Sequence, residues 1–152
     1  MIAGTVVNSI LSPGVRVDVG AVVRESIVMF DSVIRSGAVV DRAILDKEVV
    51  VGPGAIIGDG PIDDRPNRHE PGRLNTGITV VGKHAIVPRG ARIGRNVRIA
   101  ADVRTSDFTG RVVRSGESVD VGSGRSRGRG AAKAAPVVRV VGGGGRKAVP
   151  ED

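Results

Sequence analysis

The chain has 152 residues, 23 Lys+Arg against 16 Asp+Glu, two Phe and no Cys, Trp or Tyr. That length fits one domain plus a tail, since domains cluster at about 100–150 residues, and 40% apolar residues exclude wholesale disorder. The absence of Cys excludes disulfides, a thiolate metal site and a Cys nucleophile, in keeping with a cytoplasmic setting, and no apolar run reaches the about 18–20 residues of a membrane span, so no membrane partner is expected.

Met1-Ile2-Ala3-Gly4 carries no basic n-region, so no signal peptide is expected. From position 15 every sixth residue is aliphatic: Val15, Ala21, Ile27, Val33, Val39, Leu45, Val51 and Ile57. The neighbouring column, Val22, Val28, Ile34 and Val40, starts in the same way and breaks at Asp46. A helix of period 3.6 does not hold a six-residue phase over eight repeats. Period six with β-branched residues predicts hexapeptide β-helix coils, three hexads to a triangular turn, with the Val15–Ile57 column pointing inward.

Residues 59–76, DGPIDDRPNRHEPGRLNT, are charged, contain three Pro and lose the period, which predicts a loop ejected from one coil. The phase returns at Val81, Val87, Ile93 and Ile99, with Ala85, Ala91, Val97 and Val103 four residues after each. Residues 105–110 punctuate the repeat, and residues 111–121 are expected to close the end of the stack. From Gly122 the composition turns to GSGRSRGRGAAKAAP, VVRVV and GGGGRKAVPED, which predicts a disordered low-complexity tail with Val137–Val141 as a docking or edge strand. Residues 122–152 hold seven basic and two acidic residues, whereas residues 1–121 hold 16 and 14. The basicity belongs to the tail.

GTVVNSILSPGVRV, then SIVMFDSVIRSGAVVDRAILDKEVVVGPGAIIG over residues 3–58, and later VGKHAIVPRGARIG, resemble the C-terminal β-helix domain of the ADP-glucose pyrophosphorylase (glucose-1-phosphate adenylyltransferase) family. The resemblance covers residues 3–121. It implies an all-β fold, a single-stranded left-handed parallel β-helix of about four coils spanning residues 1–121 with one inserted loop. It also implies a context of glycogen or related α-glucan synthesis. In that family the catalytic nucleotidyltransferase domain lies upstream, and its Gly-rich nucleotide loop has no counterpart in these residues. An assembly or regulatory part, encoded separately or truncated and not catalytic alone, is therefore expected. Its expected partners are further copies of itself or a separate nucleotidyltransferase domain, with a sugar-phosphate effector. Arg35 and Asp41 depart from the pattern, standing where an aliphatic residue is usual.

Gly142–Lys147 lacks the Ser/Thr and the helix of a P-loop, and no metal or cofactor site is expected. Arg16, Arg24, Arg35 and Arg42 lie in the first coils. The resemblance makes them candidates for binding an anionic effector near the domain junction, and a planar guanidinium suits phosphate. The alternative reading is a hexapeptide acyltransferase that uses acyl-CoA, with His84 as general base; His69, the only other His, falls in the loop. The RSRGRG run invites a nucleic-acid reading, but the tail has no aromatic for stacking, and nucleic acid is not an expected partner.

Overall fold

The computed structural model describes the backbone of residues 1–128 and the side chains of residues 1–125. In chain order the strands are β1 (Thr5–Val7), β2 (Ile10–Leu11), β3 (Arg16–Val17), β4 (Val22–Arg24), β5 (Ile27–Val28), β6 (Val33–Ile34), β7 (Val39–Asp41) and β8 (Ala43–Leu45). They continue as β9 (Val50–Val51), β10 (Ile56–Ile57), β11 (Thr79–Val81), β12 (Ile86–Val87), β13 (Arg92–Ile93), β14 (Arg98–Ile99), β15 (Val112–Val113) and β16 (Ser118–Val119). A 3₁₀ turn (Thr105–Asp107) and one short helix, α1 (Ser123–Gly128), complete the described residues.

Up to β14 every third strand pairs in parallel, and β15 and β16 then pair with β13 and β14, which is the signature of a single chain wound into a three-sided β-helix. One face is β1-β4-β7-β10-β13-β15, the second β2-β5-β8-β11-β14-β16, and the third β3-β6-β9-β12. Two faces therefore carry six rungs. With the partial turn that Ile2 opens against Val17, the stack has about seven turns, more than the four expected from the hexad count. The difference comes from counting only the clean hexads, whereas Thr5–Leu11 and residues 111–121 wind with the rest.

The register explains why the period appeared to slip. Thr5 pairs with Val22 and Val22 with Val39, a pitch of 17, whereas Val80 pairs with Arg98 at 18 and Arg92 with Val112 at 20. A 17-residue turn is two hexads and one pentad. The inward column is consequently Val17, Val23, Val28, Ile34, Val40, Leu45, Val51 and Ile57, all fully buried. Ile27, Val33 and Val39 of the strict six-residue column instead face outward. After the loop the strict hexads hold, with Val81, Val87, Ile93 and Ile99 inward and Ala85, Ala91, Val97 and Val103 at the small positions. These aliphatic side chains form one continuous core, each buried Val, Leu or Ile contributing about 1.5–3 kcal/mol. Phe30 is exposed, and Phe108 packs on the last turns of the core. Rings have no place inside the coil.

The corners are columns of left-handed backbone. At the third corner of each turn, where the third face leads back to the first, Gly20, Gly37, Gly54 and Gly90 all have positive φ, where a side chain would be strained. At the second, Asp31, Glu48, His84 and Asp102 take the same conformation. The N–H of each donates to the carbonyl of Pro13, Phe30, Lys47 and Lys83 in turn, one rung below. The first corner column, Glu25 and Arg42, donates to Val7 and Arg24 in the same way.

The loop, Gly58 to Ile78 between β10 and β11, is fastened rather than ejected. Asn67 is fully buried. Its Nδ2 donates to the carbonyls of Asn96 and Glu117 at 3.0 Å, and its Oδ1 accepts the N–H groups of His69 and Glu70. Asn96 answers by donating to the Arg65 carbonyl at 2.8 Å and accepting the Gly77 N–H. The loop thus folds back along the later rungs. Residues 105–110 interrupt the third face, and Asp107 closes it: its carboxylate accepts the N–H of Arg104 at 2.8 Å and of Gly122 at 2.7 Å. Helix α1 occupies the start of the expected tail, and Val137–Val141 lies outside the described residues.

Candidate functional site

The first corner gathers the polar residues that break the hexad pattern. Asp41 ends β7 one position after the inward Val40, and its carboxylate is buried. The buried Arg95 reaches it with Nη2 at 2.9 Å and donates Nε to the Gly60 carbonyl at the root of the loop, also at 2.9 Å. Arg24, directly below Asp41 in register, contributes Nε at 3.2 Å. Burial alone would raise the Asp41 carboxyl, but hydrogen bonds from Arg95 and Arg24 outweigh it and hold the group below the usual carboxylate range. Arg42, the next residue, pairs with Glu25 at 3.5 Å and donates to the Thr76 carbonyl at the far end of the loop. Arg95 Nη1 and Arg42 Nε are buried N–H groups without an acceptor, and such donors favour an oxygen ligand or water. Gly58 is obligatory here: a Cβ would overlap the Asp41 carbonyl.

The four arginines singled out in the sequence divide into two pairs. Arg24 and Arg42 belong to this corner. Arg16 and Arg35 share Asp18, at 3.1 and 3.8 Å, from β3 and the residue after β6 on the third face. Sequence reasoning missed Arg95, which lies 54 residues from its partner. The one available signal was Asp41 itself, a lone acid in an aliphatic column, which requires a cation.

His84 stands at the second corner between two carboxylates. Nε2 lies 2.7 Å from Glu48 Oε1 one rung below, and Nδ1 lies 3.1 Å from Asp102 Oδ1 one rung above. Carboxylates only accept, so both ring nitrogens of His84 face acceptors from the neighbouring rungs. His69 meets Ser118 Oγ at 3.3 Å through Nδ1. Among the described residues no cluster of three or more His, Cys, Asp or Glu is arranged to hold a metal ion, and no helix is long and apolar enough to cross a membrane.

Residues 1–81 match the family described as "GlmU-like, C-terminal hexapeptide". The chain belongs to that family. Curated relatives of this hexapeptide chain include a glucose-1-phosphate adenylyltransferase of Thermomicrobium roseum, 63% identical over 97 residues, which are 64% of this chain and 22% of that protein. Another, from Acetivibrio thermocellus, is 42% identical over 119 residues, 78% of this chain and 28% of that protein. The chain thus spans about a quarter of the length of these relatives. Among solved structures, the acetyltransferase domain of PglB from Neisseria gonorrhoeae superposes with a TM-score of 0.55 at 21% identity, covering 82% of this chain and 51% of that one. That likeness concerns the fold.

Proposed function

We propose that this chain is the assembly and effector-responsive β-helix portion of a glucose-1-phosphate adenylyltransferase-like protein of α-glucan synthesis. It acts in the cytoplasm with a nucleotidyltransferase catalytic domain and is not catalytic alone. The observation that carries the reading is the 63% identity to the Thermomicrobium roseum enzyme, confined to 22% of that enzyme's length. The β-helix supplies rigid faces for association with copies of itself and with the catalytic domain. In this reading the effector is an anionic sugar phosphate. Arg24 and Arg42 bind it at the first corner, where Arg42 Nε and Arg95 Nη1 offer buried donors, while Arg16 and Arg35 form a second basic pair on the third face.

Co-expression with the catalytic portion of a relative tests this. The chain should copurify with it and alter its adenylyltransferase rate, and Arg24→Gln with Arg42→Gln should weaken the response to sugar phosphates while association persists. Failure to associate, with no change in rate, would sink the reading. The acyltransferase alternative has fold-level likeness alone behind it, and His84 would have to leave Glu48 or Asp102 to act as a base. Acyl transfer from acyl-CoA that is lost in His84→Ala would revive it.

A further inference from the structure

The loop between β10 and β11 leaves the stack at the first corner and returns to it there. In register Val40 pairs with Ile57 and Ile57 with Ile93, so its two roots lie on the rung between Arg42 and Arg95. Both roots are held by these arginines. From below, Arg42 Nη2 donates to the Thr76 carbonyl at 3.3 Å; from above, Arg95 Nε donates to the Gly60 carbonyl at 2.9 Å.

Neither guanidinium is complete. Arg42 Nη1 pairs with Glu25 and Arg95 Nη2 with Asp41, which leaves Arg42 Nε and Arg95 Nη1 buried with no acceptor. Arg95 is more than nine-tenths buried, and its Nη1 lies 3.3 Å from where a Gly58 Cβ would stand. A donor sealed from water and left without a partner costs free energy for as long as the seal holds. The fastened loop therefore carries a standing penalty that release of its roots removes. Beside the far root lies an open groove of about 370 Å³, bordered by Asn8, Glu25, Arg42 and Ile78, within the size range of small-molecule sites. The corner sets three arginines, Arg24, Arg42 and Arg95, against two carboxylates, Asp41 and Glu25, and so retains one positive charge.

We propose that a phosphate oxyanion and the loop compete for Arg42 and Arg95, so that anion binding at the first corner releases the loop roots. This rests on the reading of that corner as the effector site and adds how the effector acts. A phosphate oxygen is a charged acceptor and displaces a neutral carbonyl from a guanidinium. It reaches Arg42 Nε and Arg95 Nη1 only when the Thr76 and Gly60 carbonyls withdraw. The fastened and released states thus differ in anion affinity, which is what a ligand needs to shift an equilibrium. The loop carries the change onward. Asn67 Nδ2 and the Arg68 N–H donate to the carbonyls of Glu117 and Gly116, two rungs beyond the roots and about 10 Å along the axis. Occupancy of the corner thereby reaches the last rung.

Amide exchange of the full chain is followed with inorganic phosphate and, at matched ionic strength, with sodium chloride. The reporters are the N–H groups of Asp59 and Gly77, bonded to Ile93 and Asn96 at the two roots. Above the dissociation constant of the released state, each tenfold rise in phosphate should speed their exchange about tenfold. Val22 and Val33 in the first turns should not respond, and chloride should change neither set. Asn67→Ala frees the middle of the loop without touching either arginine and should tighten phosphate binding, because the coupling is reciprocal. Arg42→Lys keeps the charge but lacks Nε and the fork, so the phosphate dependence should flatten while the thermal midpoint certifies folding. Phosphate that binds but slows exchange at the roots would overturn the competition and leave the corner as an effector site. Equal acceleration by chloride, or weaker phosphate binding in Asn67→Ala, would also overturn it. Phosphate that neither binds nor alters exchange would remove the effector role of the corner as well, whereas the assembly reading is decided separately by copurification with the catalytic portion.

Discussion

The rungs before the loop and the rungs after it share one architecture but satisfy their polar groups differently. In the first three turns the fastening is local and repeats every 17 residues. Ser26 accepts the Ala43 N–H at its hydroxyl, Ser32 accepts that of Val49, and Ser9 accepts that of Ser26. Each hydroxyl stitches its rung to the next. In the later turns the hydroxyl stitch persists, with Thr79 accepting the Val97 N–H and Ser115 that of Arg95, and further ties span the chain: Asn67 ties the loop to Asn96 and Glu117, and Arg95 ties Asp41 to Gly60. Repeat arrays are held mainly by nearest-neighbour interfaces. The first half follows that rule, and the second adds a clasp.

The largest expected effect breaks the clasp. Arg95→Ala leaves a buried carboxylate without its closest cation and should cost about 3–5 kcal/mol in chemical denaturation. Replacing Asp41 as well, by Asn, should recover part of that loss. Asp41 is held below its ordinary range by Arg95 and Arg24 despite burial, so its contribution is fully present above about pH 4 and disappears as pH falls through the folded value. Asp107, lowered by the N–H groups of Arg104 and Gly122, adds the same sign. Acid unfolding curves of Asp41→Asn should accordingly be flatter below about pH 4 than those of the wild type.

Core truncation sharpens the comparison from the other side. Ile34→Ala and Ile93→Ala remove equally buried side chains from the two halves, and each should cost about 2–5 kcal/mol. Similar values would show that the core is uniform and that the halves differ in their polar fastening. Asn67→Ala should cost about 1–3 kcal/mol by stranding buried backbone acceptors and should expose the loop to limited proteolysis. The smallest effect belongs to His84→Ala, whose carboxylate partners are exposed; a thermal shift equivalent to about 1 kcal/mol or less is expected.

These differences follow what was legible in the sequence. The aliphatic period revealed the β-helix, and the block from Val81 to Val103 could be placed residue by residue because its hexads are strict. The pentad at Glu25 and its repeat at Arg42 carry no local signal, since a corner one residue shorter exchanges one aliphatic column for its neighbour. No strand forms between Ile57 and Thr79, where the period is lost, yet a charged, Pro-rich composition does not reveal that Asn67 would be buried. A hydrogen-bond partner 50 residues away leaves no periodic trace. The family resemblance marked all four candidate arginines, while their division between Asp18 on the third face and the Asp41 and Glu25 corner depends on which side of a triangular turn each occupies.

Amide hydrogen exchange of the wild type and Arg95→Ala tests the two-part account most directly. Arg95→Ala should accelerate exchange at Val80, Ile86, Arg92 and Arg98, whose N–H groups bridge the later rungs. The amides of Val22, Val33 and Val39 in the first turns should retain their protection. Uniform acceleration along the whole stack, or none beyond the loop, would contradict it.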